Sequence, residues 1–357
     1  MNTKVKMVDE RNLDKDIIEE AGKVIKDGGL VVFPTETVYG LGANALQAKG
    51  RPQDNPLIVH ISDIEDIKEL VVYVPEIAKK LMKKFWPGPM TIILPKSQII
   101  PDITSASLPS IGIRMPSNII ARELIRTSKV PIAAPSANIS GRPSPTDVER
   151  CIEDLNGKVD FILGGDMCEV GVESTIIDCT VTPVCVLRPG GITLEALKEI
   201  DGSIYIDPAV MKKPDKNLKP KAPGMKYRHY APKAPLKIVN GDLKKTIEKI
   251  NEMVQNYIGE NKVVGIIATD ETKDLYKNGL VISLGSRNNM ISISKNLFET
   301  LRSFDDKNVD IIITEAFDEK GIGTAVMNRL NKSAGFDIIR VWCIKCESLN
   351  AEFLGGF

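Results

Sequence analysis

The chain has 357 residues, 47 basic and 47 acidic side chains, and 43% hydrophobic residues. That length suits about two globular domains, and that apolar content excludes a disordered chain. Zero formal net charge and 5% aromatic residues argue against a general nucleic-acid binder, which needs cations and stacking platforms.

Residues 14–27 place Ile17, Ile18, Ala21, Val24 and Ile25 on one helical stripe that Gly28 and Gly29 stop. Leu30–Phe33 reads as a short buried strand ending at Pro34. Similar buried strands are expected at 57–61, 90–94, 161–163, 175–178 and 184–187, with helices at 75–84, 117–128 and 145–155. Ser117 and the pair Ser144-Pro145 read as helix starts. A mixed α/β domain over 1–206 is the result.

Residues 211–233 break this pattern with seven lysines, one arginine, four prolines and a single acid. A basic, proline-rich linker is expected at 207–234. Beyond it, strands at 236–239, 262–268, 280–284 and 309–314 alternate with helices at 242–257, 271–278 and 290–304. Strict βαβ alternation predicts a smaller, doubly wound (Rossmann-like) parallel sheet over 235–357.

Standard chemical motifs are missing. The sequence holds no GxxxxGK[ST] and no GxSxG, and Gly321-Ile322-Gly323 lacks a third glycine. Only two histidines, His60 and His229, are present, so a histidine-rich metal site is excluded. Cys343-Ile344-Lys345-Cys346 has no second pair at zinc spacing, and no metal site is expected. Six cysteines make no disulfide framework in so long a chain, no apolar run reaches the roughly 18–20 residues of a membrane span, and the start is no signal peptide. A cytoplasmic protein is expected.

What remains is a set of polar residues planted at strand ends. FPTETVYGLGAN carries Thr35, Glu36 and Thr37; AKGRPQDNPLIVHI carries Lys49, Arg51, Asn55 and His60; SIGIRMP embeds Arg114. APSANISGRPSP carries Ser136, Asn138, Arg142 and Ser144, GVESTII carries Ser174, and LRPGG carries Arg188. Ligands of α/β folds gather at strand ends, and several cations beside hydroxyls suit an anionic ligand such as a nucleotide phosphate. Taken singly, each residue has a plainer reading: Arg114 as an edge arginine reaching solvent, Ser144 as a helix cap, His60 as a satisfied core histidine.

Together, PTETVYGLGAN, KGRPQDNPLIVHI, WPGPMTIIL, GIRMP, APSANISG, GVESTIID and LRPG resemble the YrdC family. The trailing PGMKYRHYAP and the second domain resemble its long, Sua-type form, the threonylcarbamoyl-AMP synthases. The resemblance implies a YrdC-like twisted mixed sheet in the first domain and the synthesis of L-threonylcarbamoyladenylate from L-threonine, bicarbonate and ATP, with release of pyrophosphate. The product would pass to the machinery that makes threonylcarbamoyladenosine beside the tRNA anticodon, with direct tRNA contact left open.

By the same resemblance, Lys49 and Arg51 neutralise the phosphates, while Asn55, Ser110, Ser136, Ser144 and Arg188, with Tyr227, His229 and Tyr230 of the linker, hold ATP. Thr35 or Thr37, His60, Arg114, Ser174 and the backbone at Ala134 hold threonine, and Mg²⁺ accompanies ATP without a dedicated protein cage. The carbamate nucleophile comes with the substrate, so no Ser, Cys or His nucleophile is required, and the protein's tasks are positioning and charge neutralisation. Two alternatives are weighed: a non-catalytic RNA-binding module, which neutral charge disfavours, and a different carbamoyl-transferring enzyme, whose acylphosphatase and zinc-finger segments this sequence lacks. One departure stands out. The family's connection between GANAL and QAKGRP is longer, whereas Leu46 here runs into Gln47. An interruption of the chain there is expected, visible as a Cα separation well beyond about 3.8 Å.

Overall fold

The computed structural model describes residues 2–47, 55–213, 220, 222–223 and 229–341. Eleven strands of the first part form one mixed sheet. They are β1 (Lys4–Met7), β2 (Val31–Phe33), β3 (Gly40–Asn44), β4 (Ile58–His60), β5 (Met90–Pro95) and β6 (Ser110–Arg114). The remainder are β7 (Ile132–Ala134), β8 (Phe161–Gly164), β9 (Thr175–Asp178), β10 (Cys185–Arg188) and β11 (Tyr205–Ile206). The order across the sheet is β1-β8-β2-β3-β7-β4-β6-β5-β9-β10-β11. Parallel and antiparallel pairs mix: β4 runs parallel to β6 but antiparallel to β7.

Each predicted strand of this part is present. The helix predicted at 14–27 is Lys15–Lys26, with Asp14 accepting the N–H of Ile17 and Gly28 turning at φ +90°. That helix and Ile119–Ser128 bury Ile18, Ile25, Leu124 and Ile125 against Phe33, Ile132 and Phe161. Helix Glu76–Phe85 sets Leu81 and Met82 against Val59, Ile92 and Ile113.

Two expected helix starts lie elsewhere. Asn118, not Ser117, caps Ile119–Ser128, and Asp147, not Ser144, caps Val148–Leu155. The carboxylate of Asp147 accepts the Arg150 N–H at 2.8 Å, which leaves the Ser144 hydroxyl free for another partner. Ala222 of the linker is buried among Ile58, Ile93, Ile176 and Leu187 of the first sheet.

The second part is a five-stranded, wholly parallel sheet, as the alternation predicted. Its strands are β12 (Leu236–Gly241), β13 (Val264–Ala268), β14 (Leu280–Ser283), β15 (Ile311–Glu315) and β16 (Ile338–Val341), in the order β14-β13-β15-β12-β16. Helices Leu243–Gly259, Met290–Asp306 and Gly323–Ser333 connect them. The helix expected at 271–278 shrinks to a single turn, Lys273–Leu275. Here Thr272 and Tyr276 both hydrogen-bond buried Glu315, and that side-chain network replaces helical bonding.

The two sheets are joined by buried charge. Arg302, on helix Met290–Asp306, grips Asp154 of helix Val148–Leu155 at 2.7 Å and donates to the Pro143 carbonyl. Gly171 (φ +75°) lets its loop touch the same helix; a Cβ there would lie 2.3 Å from the Lys295 Cα. Among the described residues, no helix is long and apolar enough to cross a membrane.

Candidate active site

Strand ends build a cavity of about 510 Å³ on the first sheet. β2 ends at Phe33 and delivers Pro34 and Thr35. β4 and β6 run parallel in a register that sets His60 beside Arg114. β7 contributes Ala134, followed by Ser136, whose backbone bridges to Gly40. The loop ahead of β9 brings Glu173, and β10 ends at Arg188. Gly190 is what allows that corner to close, since a Cβ there would lie 2.3 Å from the Glu173 carbonyl oxygen.

Ten of the residues given a binding role line this cavity: Thr35, Asn55, His60, Arg114, Ala134, Ser136, Ser144, Arg188, His229 and Tyr230. Three others do not. Thr37 is fully buried behind Thr35, with 2.9 Å between their hydroxyls, because this segment is a turn closed by Thr35 on the Val38 carbonyl and the alternation of a strand does not apply. Ser174 turns inward, 2.8 Å from the Thr91 hydroxyl, and accepts from Arg188. Ser110 opens β6 and faces a separate niche beside Pro223. Lys49, Arg51, Tyr227, Cys343 and Cys346 lie outside the described residues. Asn44 accepts the N–H of Leu46 with its side chain and that of Gln47 with its carbonyl. Asn44 thereby holds a turn at Leu46 and Gln47, directly ahead of the undescribed residues that carry Lys49 and Arg51.

The charges are arranged unevenly. Arg114 sits 2.7 Å from Glu36, both about 5% exposed, yet the pair is not aligned for hydrogen bonding. Arg114 Nε and Nη2 and both Glu36 carboxylate oxygens have no hydrogen-bond partner among the described residues. Asn55 Oδ1 is likewise buried and unpartnered there. Burial, aided by the Arg114 charge, pushes His60 down to about 3, so its imidazole is neutral and contacts the Ile58 carbonyl through Nδ1.

At the other end, burial would raise the Glu173 carboxyl, but Arg329, Arg188 and the Ser144 hydroxyl outweigh it and hold the group at about 2. Burial lowers Arg188 to about 10 and, together with Arg329 and Arg188, lowers Lys332 to about 7. Ser144 donates to Glu173 Oε1 at 2.6 Å. The Tyr230 ring stacks on Phe298 of the second part, 5.1 Å between centroids. Arg142 lines the cavity but turns its guanidinium to Asp154 and Glu153.

Sequence reasoning missed Glu173, Arg329 and Lys332. Glu173 stands inside the quoted GVESTII segment. Arg329 and Lys332 lie in MNRLNKS, whose signal is its composition: Asn328, Arg329, Asn331, Lys332 and Ser333 are all buried, and so many polar residues on an enclosed helix need partners.

Comparisons with known proteins identify the family to which both parts of the chain belong. The Sua5–YciO–YrdC family model, described as telomere recombination, matches residues 23–190. The model described as the C-terminal domain of threonylcarbamoyl-AMP synthase matches residues 192–335. The threonylcarbamoyl-AMP synthase of Pyrococcus abyssi is 47% identical over 333 residues, covering 91% of this chain and 96% of that one. The Bacillus subtilis protein of the same name is 44% identical over 346 residues, covering 94% and 98%. The crystal structure of Pyrococcus abyssi Sua5 complexed with L-threonine superposes with a TM-score of 0.90 at 46% identity, covering 95% of this chain and all of that one.

Proposed function

The chain belongs to the threonylcarbamoyl-AMP synthase family, and from that premise we propose that this cavity is where L-threonine, bicarbonate and ATP become threonylcarbamoyl-AMP and pyrophosphate. Threonine's amine and bicarbonate condense to a carbamate with loss of water. A carbamate oxygen then attacks the α-phosphorus, and the β- and γ-phosphates leave together. The nucleophile belongs to the substrate, so the protein's work is to align two anions, offset their charge and keep water out.

The observation that carries this reading is Arg114, a buried guanidinium on the cavity wall whose Nε has no hydrogen-bond partner among the described residues, while Nη2 is ion-paired to Glu36. A carboxylate is the natural acceptor for such a fork, and we assign it the threonine carboxylate. Thr35, neutral His60 and the Ala134 backbone complete that half. Asn55, Ser136, Ser144 and Arg188 form the nucleotide half, with Lys49 and Arg51 as the phosphate cations. Thr37 and Ser174 support Thr35 and Arg188 from behind.

We read the linker as the cover of the site, a role supported by Pro223, His229 and Tyr230 in its wall. Mg²⁺ would arrive on the nucleotide. Among the described residues no three His, Cys, Asp or Glu side chains stand close enough to cage it, and phosphate oxygens and water supply the ligands such an ion prefers. We take the reaction to be cytoplasmic, in keeping with the free, buried thiols of Cys151, Cys168, Cys179 and Cys185. The reactive adenylate would pass to enzymes that transfer the threonylcarbamoyl group to tRNA.

The test is pyrophosphate release with each substrate omitted in turn. Release that requires all three substrates supports the assignment; release without threonine or bicarbonate, or none with all three, overturns it. Repeating the assay with excess chelator tests the Mg²⁺ requirement.

A further inference from the structure

Resting on the reaction proposed above, we infer that Arg329 of the second part is a positioning residue for the nucleotide half of the cavity, acting through Glu173 to fix the hydrogen-bonding sense of the Ser144 hydroxyl. This gives the second part a share in substrate recognition.

The geometry is a continuous chain of bonds. Arg329, fully buried on helix Gly323–Ser333, donates from Nε to Glu173 Oε2 at 2.8 Å. Its Nη1 donates to the Pro189 carbonyl at 2.8 Å and to Asn328 at 3.0 Å, and its guanidinium carbon lies 5.5 Å from the Tyr230 ring centre. The second oxygen of Glu173 accepts the Ser144 hydroxyl at 2.6 Å. Glu173 and Ser144 line the cavity, whereas Arg329 stands behind them. On the same helix Lys332 is also buried, 4% exposed, and Glu173 is the neighbouring charge that favours its protonated form.

The chemistry follows from what each group can do. A carboxylate on the wall of an anion-binding cavity would repel phosphate unless a cation neutralises it, and Arg329 does so from behind the wall. Ionised Glu173 only accepts hydrogen bonds, so Ser144 must donate its single proton to it. What Ser144 then offers the cavity is lone pairs. The hydroxyl therefore selects a donor on the nucleotide, a sugar hydroxyl or the base amino group, and not a phosphate oxygen.

Calorimetric titration of the full-length protein with ATP reads this without depending on turnover, so failure of the proposed reaction remains distinguishable from failure of this role. Arg329→Met should weaken ATP binding about tenfold, because it removes the cation hydrogen-bonded to Glu173, while threonine binding stays within about twofold. The double variant Glu173→Gln/Arg329→Met should recover most of that loss, since the carboxylate charge that Arg329 offset is removed with it. In the parent protein, one of 2′-deoxy-ATP, 3′-deoxy-ATP or inosine triphosphate should bind more weakly than ATP, and Ser144→Ala should erase that difference. Unchanged ATP affinity in Arg329→Met, a double variant no better than the single one, equal loss of ATP and threonine binding, or a parent protein that distinguishes none of the three analogues would each overturn the inference.

Discussion

Arg114 and Arg302 are both buried arginines, 4% and 1% exposed, in regions of the molecule with opposite demands. At the junction of the two sheets, every nitrogen of Arg302 is spent. Nε and Nη2 share the Pro143 carbonyl at 3.0 and 2.7 Å, and Nη1 and Nη2 hold the Asp154 carboxylate at 3.3 and 2.7 Å. In the cavity, Arg114 lies close to Glu36 but makes no aligned bond with it. Burial costs the two guanidinium groups comparable hydration; Arg302 recovers it through hydrogen bonds from all three nitrogens, whereas Arg114 has the Glu36 charge beside it and an Nε without a hydrogen-bond partner among the described residues. Arg302 is bonded as a structural joint, and Arg114 keeps a donor on the cavity wall.

Breaking the junction should give the largest effect. Arg302→Ala leaves Asp154 with Arg142 as its remaining cation and should cost on the order of 3–5 kcal/mol of stability, read as a lowered denaturation midpoint with the threonine KM unchanged. Arg114→Ala should act the other way round. Losing a charge-assisted carboxylate contact raises the threonine KM by on the order of 2–3 kcal/mol, or roughly 30- to 150-fold, and moves the denaturation midpoint less than Arg302→Ala does.

His60 sharpens the contrast through pH. Its folded state holds the imidazole neutral at about 3, below the ordinary value near 6.5. The unfolded chain therefore binds the proton first as pH falls. The stability contribution is complete above pH ~6.5 and declines from there toward pH ~3 by about 1.4 kcal/mol per pH unit. Urea unfolding of His60→Gln across that window should show a slope shallower by one proton. The smallest effect belongs to Arg150, whose bonds to Glu299, Glu153 and Asp306 lie partly in solvent. Arg150→Ala should cost about 1 kcal/mol and fade with added salt.

Much of this was legible in the sequence because apolar runs announce buried strands. MTIIL, TIID and VCVL are strands in the structure, and the βαβ alternation after residue 235 is the parallel sheet it implied. Strands built from small or exposed residues gave no such signal: β3 is GLGAN, β7 is IAA, and β1 is exposed along its whole length. The turn at 273–275 escaped because Thr272 and Tyr276 answer to Glu315, some forty residues away in sequence.

The site divides in the same way. Thr35, His60, Arg114, Ser136, Ser144 and Arg188 were readable because each is a polar residue beside a strand end, where a cavity forms. Thr37 and Ser174 do not line the cavity, because turn geometry, not residue spacing, decides where they point. Glu173 and Arg329 stand 156 residues apart in sequence, and only the packing of the second part against the first brings them together.

The central claim, that Arg114 serves the threonine carboxylate whereas Arg302 is a structural joint, is tested most directly by titrating L-threonine calorimetrically into the parent protein, Arg114→Ala and Arg302→Ala, at a temperature where all three remain folded. The account predicts that threonine binds the parent and Arg302→Ala alike and that its heat of binding vanishes in Arg114→Ala. Threonine bound by Arg114→Ala with parental affinity, or lost from Arg302→Ala while it is still folded, would contradict it.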